Sequence, residues 1–395
     1  MKTVGIVAEY NPFHNGHAYH IQKAKEMTGA DCAVVVMNGN FMQRGLPAFV
    51  DKYTRTKMAL AGGADMVFEL PVCFGLSSAE DFAFGSVALL NKLGFIDAIC
   101  FGSEIGNIDD LLPFARLFIE EPEEYRDMLT TLLREGYGFP AAREQAAMKF
   151  LQMPEGNLLS MPNNLLGIEY IKALLRLSSD IKPFTISRMG AGYHDNAVSG
   201  KTEFSSATGI RGEYLKGNAS ILQTSIPKEC RRFLEEALTH YRPLSPNDFS
   251  ESLYYALREH IGELDRFKDV SEDLADRMEN LLADFRTTEQ FASLLHTKQY
   301  TKSRIDRCLF QILLGIGKQA PENIPPLPLR LLGLNPAFSF LLKGRDDIIT
   351  KPAKAKEALT TDFFATDLYN YTIFKTSGYV IKQDFYHSPI VAPKD

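Results

Sequence analysis

Four short, almost unbroken apolar runs open the chain: Val4–Ala8, Ala33–Met37, Met66–Leu70 and Ala98–Phe101. Helical patterns lie between them at Ala18–Thr28, Tyr53–Ala61 and Phe82–Leu93. A strand that is apolar at nearly every residue must be covered on both faces, and helices that follow each strand supply that cover. The alternation predicts an α/β fold, a doubly wound parallel sheet. Lys182–Ser187 reads as its last strand, after helical stretches over 111–150 and Asn164–Leu177. Beyond residue 225 the pattern turns helical, with Lys228–Thr239, Phe249–Gly262 and Ser271–Phe285. A Pro-rich stretch, Pro321–Pro328, follows, and the weakly alternating tail Gly378–Phe385 reads as a strand. A chain of 395 residues suits two such units, a sheet domain over 1–224 and a mostly helical C-terminal region over 225–395.

Composition narrows the function. Hydrophobic residues at 45% and charged residues at 23% are globular proportions, which excludes a disordered or fibrous chain. With 43 Lys+Arg against 49 Asp+Glu the net charge is -6, so any nucleic-acid site must be a local patch. Five cysteines, never in C-x-x-C spacing, argue against a disulfide framework and a zinc ribbon. No apolar run reaches membrane-span length and the N-terminus passes straight into a strand, so a cytoplasmic location with no membrane partner is expected. Nothing in the sequence sets an oligomeric state.

The chemistry concentrates between the first strand and the first helix, in Val7, Ala8, Glu9, Tyr10, Asn11, Pro12, Phe13, His14, Asn15, Gly16, His17, Ala18, Tyr19 and His20. Two imidazoles three residues apart flank a glycine at a helix N-terminus. In a doubly wound sheet this loop lies at the carboxyl ends of the strands, where ligands bind, and the helix dipole favours phosphate. His14 and His17 could donate to oxygens that gain charge as pyrophosphate leaves, with Gly16 admitting the nucleotide against backbone. The bland alternative is that the histidines cap and pack a helix start. No Glu or Cys cluster completes a zinc site, and no protein metal ligand is expected.

Two later segments fit the same chemistry. Ile186-Ser187-Arg188-Met189 and Ser205-Ser206-Ala207-Thr208-Gly209-Ile210-Arg211 combine hydroxyls, a glycine and arginines able to reach phosphate oxygens. A simple N-cap is the alternative for the second. With the H-x-G-H loop, these elements resemble the HxGH nucleotidyltransferase superfamily. Over the whole chain five blocks are similar to the bacterial tRNA(Met) cytidine acetate ligase family: the run Gly5 to His17 that includes this loop, Met37 to Gly45, Phe101 to Glu104, Pro162 to Tyr170, and Tyr300 to Arg307.

That resemblance implies an enzyme that activates acetate with ATP to acetyl-adenylate and passes acetyl to N4 of the wobble cytidine of elongator tRNA(Met). It implies catalytic roles for His14, His17 and Arg188, an ATP loop over Val7–His20, and nucleotide contacts at Gly102, Asn163 and Arg188. By their chemistry alone, Gly102 is equally an ordinary strand-end turn, Asn163 a helix cap, and Arg188 a surface ion pair. Arg44 and Lys52 are further candidate cations. Mg2+ is expected from ATP chemistry alone.

The best local RNA patch is His296–Arg307, where Lys298, Lys302, Arg304 and Arg307 surround a Thr/Ser helix start and Tyr300 could stack on a base. A solvated helix face is its plain alternative. Two other functions compete with the acetate ligase: a cofactor adenylyltransferase acting on a mononucleotide, and a non-catalytic RNA-binding protein with a nucleotide pocket. A C-terminal half beyond the sheet domain favours a large substrate.

Overall fold

The computed structural model describes residues 1–153, 158–188, 205–318 and 327–392. Met189 and most of the Pro-rich stretch, residues 321–326, lie outside the described residues. The strands are β1 (Thr3–Ala8), β2 (Cys32–Asn38), β3 (Phe41–Met42), β4 (Leu46–Pro47), β5 (Met66–Leu70), β6 (Ala98–Ser103), β7 (Lys182–Ser187), β8 (Leu329–Leu334), β9 (Ile348–Ile349) and β10 (Ile390–Val391). The main sheet runs β10-β8-β5-β2-β1-β6-β7, and its five strands from β5 to β7 are mutually parallel. The expected doubly wound parallel core is present, with β1 at its centre.

Alternation along each strand splits the core into two layers. Val4, Ile6, Val35, Met37 and Val67 face one side, whereas Val34, Val36, Met66 and Phe68 face the other. Helices α1 (Asn15–Thr28) and α2 (Lys52–Ala61) contribute Ile21, Ala24, Met58 and Ala59 to the first layer. Phe249, Leu253, Leu309 and Phe310 of the later helices join that same layer. The helical region therefore packs on one face of the sheet and shares its core.

Two strand expectations need correction. The sheet is mixed rather than purely parallel, because β8, which follows the helical region, adds antiparallel to β5. An arginine inside Leu329–Leu334 breaks its apolar reading, yet Arg330 is only 2% exposed and pairs with Glu69 and Asp384. The tail Gly378–Phe385 forms no strand, since Asp384 starts a short turn of 3-10 helix and its carboxylate is drawn into that same buried cluster. The terminal strand comes later, as β10 parallel to β8.

Candidate active site

The H-x-G-H loop is a reciprocal cap. His14 is the N-cap of α1 and its Nδ1 accepts the Gly16 N–H at 3.1 Å, while the His14 N–H donates to His17 Nδ1 at 3.2 Å. The N–H groups of His17 and Ala18 both go to the His14 carbonyl. The Gly16, His17 and Ala18 N–H groups are thus already taken within the cap. The two rings stack with centroids 3.7 Å apart; Tyr10 packs edge-on against His17 and Phe13 lies tilted beside it.

This arrangement assigns a tautomer to each ring. A ring whose Nδ1 accepts a hydrogen bond carries its neutral proton on Nε2. Burial, then the Arg188 charge, lowers the His14 pKa to about 4, and burial followed by His14, His20 and Arg188 holds His17 well below its ordinary value. His20 falls to about 4 through burial and Arg188, against an opposing bond to the Cys100 carbonyl. At neutral pH both motif histidines are uncharged Nε2–H donors. They can stabilise developing negative charge without repelling each other.

Several residues hold the loop. Asn11 Oδ1 accepts the Phe49 N–H at 2.7 Å, Arg211 Nη1 donates to the Asn11 carbonyl at 2.6 Å, and Asn15 Nδ2 donates to the Thr224 carbonyl at 2.9 Å. Tyr10 sits in the left-handed region at φ 49, and the Asn11–Pro12 bond is cis. The sequence reading missed Arg55, fully buried, which donates to the carbonyls of Val50, Glu9, Asn38 and Gly39. A guanidinium with fixed forked donors can tie the ends of β1 and β2 together where no other side chain could. Nothing in its polar local sequence, with Asp51 four residues before it and Lys57 two after, hints at that role.

Arg188 follows β7 and is exposed, and its stem crosses Gly102 at the end of β6. A Cβ at Gly102 would come within 2.9 Å of Arg188 Cγ, so the arginine stem could hold this path only by shifting if a larger residue stood there. Arg188 Nη1 donates to Asn163 Oδ1. Asn163 does not cap its helix, Pro162–Arg176; the Glu104 carboxylate does, accepting the N–H groups of Asn163 at 3.3 Å and Asn164 at 2.7 Å and Asn163 Nδ2 at 2.5 Å. The structure thus joins Gly102, Asn163 and Arg188, and adds Glu104.

Ser206 caps the helix Ala207–Leu215 by accepting the Gly209 N–H at 3.1 Å, so the capping reading of that segment holds, while Arg211 reaches out to the loop. Lys52 is not a phosphate cation. Its side chain is 0% exposed and its Nζ bonds Glu69 at 2.6 Å, Asp384 at 2.9 Å and Thr366 at 3.0 Å, within a cluster that Arg330 completes. Arg44 is exposed at the tip of the β3–β4 hairpin. It lies close enough to Arg211 for its charge to lower that group's pKa, alongside burial and against Glu9.

The basic patch divides in two. Lys298 is exposed, and Lys302 is 55% exposed with a 2.8 Å ion pair to Asp306. Arg304 is half-buried, donates to the Asp269 carbonyl at 3.0 Å and lies over the Tyr300 ring. Arg307 is 12% exposed and spent on the Asp269 carboxylate at 3.1 Å, which corrects its expected phosphate role. Tyr300 is 4% exposed with its hydroxyl on Ser271, so it cannot stack on a base. The patch also abuts the site: Gly45, at φ 77, packs so tightly on Asp306 that a Cβ would lie 2.3 Å from its carbonyl carbon. The neighbouring Gln43 N–H donates to Glu9 at 2.8 Å, so one hairpin links the patch to the H-x-G-H loop.

Among the described residues no group of three or more His, Cys, Asp or Glu side chains could hold a metal ion, and no helix is long and apolar enough to cross a membrane. A family model described as HIGH Nucleotidyl Transferase matches residues 1–384. The tRNA(Met) cytidine acetate ligase of Thermoanaerobacter sp. (strain X514) is 40% identical over 98% of this chain and 99% of its own length. The enzyme of that name from Acetivibrio thermocellus is 38% identical over 93% of this chain and 94% of its own. The crystal structure of Thermotoga maritima TmcAL bound with alpha-thio ATP superposes with a TM-score of 0.88 at 30% identity, covering 99% of both chains. Since these likenesses run through the loop, the sheet and the helical half alike, the chain belongs to the HIGH nucleotidyl transferase family and, within it, to the tRNA(Met) cytidine acetate ligases.

Proposed function

We propose that this chain activates acetate with ATP and acetylates N4 of the wobble cytidine in elongator tRNA(Met). In the first step an acetate oxygen attacks the α-phosphorus of ATP, and the bond to pyrophosphate breaks to leave acetyl-adenylate. In the second the cytidine N4 amine attacks the acetyl carbonyl, AMP leaves, and the amine loses a proton to give N4-acetylcytidine. The main support is that the likeness to tRNA(Met) cytidine acetate ligases extends over 98% of the chain, including helices that a mononucleotide adenylyltransferase would not need.

Within this reading the loop Val7–His20 cradles ATP, with Gly102 and Asn163 bordering the nucleotide. The neutral Nε2–H groups of His14 and His17 donate to phosphate oxygens that gain charge as pyrophosphate departs, and Arg188 adds a permanent cation. A bound polyanion opposes the burial that keeps the rings neutral. Mg2+ is taken to arrive with the substrate as MgATP. The helices between Lys228 and Leu313 serve tRNA recognition, with the exposed Lys298 and Lys302 as phosphate contacts, whereas the last strands belong to the sheet and Arg304 is held by Asp269.

The test is ATP–pyrophosphate exchange measured with acetate, other small carboxylates, and nicotinate or pantetheine mononucleotides. Exchange that depends on acetate supports the ligase. Pyrophosphate release with a mononucleotide and none with acetate supports the cofactor adenylyltransferase instead.

A further inference from the structure

We propose that Glu104 is a positioning residue for Arg188, acting through the side-chain amide of Asn163. The inference rests on the reading above that Arg188 meets the ATP phosphates. A carboxylate can only accept hydrogen bonds, whereas an amide has one donating and one accepting end. Glu104 takes the Asn163 Nδ2 at 2.5 Å, which turns Asn163 Oδ1 outward to receive Arg188 Nη1. The acceptor-only character of residue 104 therefore decides whether the arginine meets an acceptor or a donor. From below, the missing side chain of Gly102 leaves room for the arginine stem. Guanidinium direction is thus set at the tip by the oriented amide, with Gly102 leaving space for the stem.

Glu104 also caps the helix Pro162–Arg176 through the Asn163 and Asn164 N–H groups, and a capping role alone predicts lost stability without a specific rate effect. Positioning predicts something different. Misdirecting a transition-state cation lowers the chemical rate more than it weakens ground-state binding. It also predicts a rescue. If residue 104 becomes an amide and residue 163 a carboxylate, the new amide can donate to the new carboxylate. The second oxygen at 163 still accepts from Arg188, and the summed charge of the pair is unchanged.

The experiment is acetate-dependent ATP–pyrophosphate exchange by the full chain. E104Q is expected to lower kcat about tenfold while raising KM for ATP less than about threefold, and N163D to do comparable damage. The double variant E104Q/N163D is expected to return to within about threefold of the parent. In an R188A background, E104Q should lower the rate no further. A double variant no faster than the slower single one overturns the proposal, as does an E104Q effect of equal size with or without Arg188. If R188A falls while E104Q keeps the parent rate, positioning alone is wrong; if R188A itself keeps the parent rate, both the positioning and the phosphate role of Arg188 are wrong.

Discussion

The His14 and His17 rings stack 3.7 Å apart, and each Nδ1 accepts a backbone N–H of the same helix start. One geometry caps the helix, fixes both tautomers and leaves two Nε2–H donors side by side. Capping and donation to a ligand, which the sequence presents as competing explanations of H-x-G-H, are therefore compatible, because the cap uses the Nδ1 edge of each ring and leaves Nε2 free to act.

Replacing His14 or His17 by Ala should lower the rate of adenylation by roughly 10² to 10³-fold, the usual loss for one preorganised donor to a developing charge. ATP affinity should fall less, because the donors act mainly as charge builds up. Single-turnover pyrophosphate release and equilibrium ATP titration separate the two. Folded variants that keep the parent exchange rate would contradict the assignment.

The buried histidines also tie stability to acidity. His14 and His20 take up a proton near pH 4 in the fold, against an ordinary value of 6.5 in an unfolded chain. Between those values the unfolded state holds more protons, so their contribution is complete above pH 6.5 and is lost as pH falls toward 4. Up to about 3 kcal/mol per ring is at stake. Urea midpoints of the parent should drop over that window more steeply than those of a His14→Gln/His20→Gln variant. Equal slopes would mean that the rings are not held neutral.

Acetyl transfer should proceed from the mixed anhydride without an enzyme thioester. Burial pushes all five thiols up to about 12, so almost no thiolate exists at neutral pH. A variant with every cysteine replaced by Ser or Ala, if folded, should keep most of its turnover. An acetyl-cysteine adduct trapped during the reaction and chased into product would overturn this.

The RNA patch makes a sharper prediction than its sequence did, because only Lys298 and Lys302 of its four cations are well exposed. Substituting both by Ala should reduce the log-log salt slope of tRNA binding by roughly 0.7 to 0.9 per lost phosphate contact. Acetate-dependent exchange without RNA should survive. Arg307→Ala should instead lower thermal stability, since it removes the cation paired with the Asp269 carboxylate and leaves that oxygen to Gln311 Nε2. A double lysine variant with the parent affinity and salt slope would move the RNA surface elsewhere.

Legibility followed the range of the interactions. The strands from Val4 to Phe101 declare themselves because their apolar runs and the helices between them are local patterns. β8 hides because Arg330 looks solvated until Asp384, far along the chain, neutralises it. Lys52 looks like a free cation for the same reason, with Glu69 and Asp384 waiting in other elements. Tyr300 looks available to stack, but its hydroxyl finds Ser271 and its ring enters the core. Glu104 is invisible as a helix cap because the N–H groups it accepts belong to Asn163 and Asn164, brought to it only by the fold.

The most direct test is to incubate the protein with ATP, acetate carrying a carbon label at its carboxyl carbon, and unmodified elongator tRNA(Met), then cut the RNA with a base-specific ribonuclease and locate the label in the anticodon fragment by tandem mass spectrometry. The account predicts labelled N4-acetylcytidine at the wobble position, with AMP and pyrophosphate formed in equal amounts. Label absent from cytidine while pyrophosphate is released with a mononucleotide acceptor would contradict it.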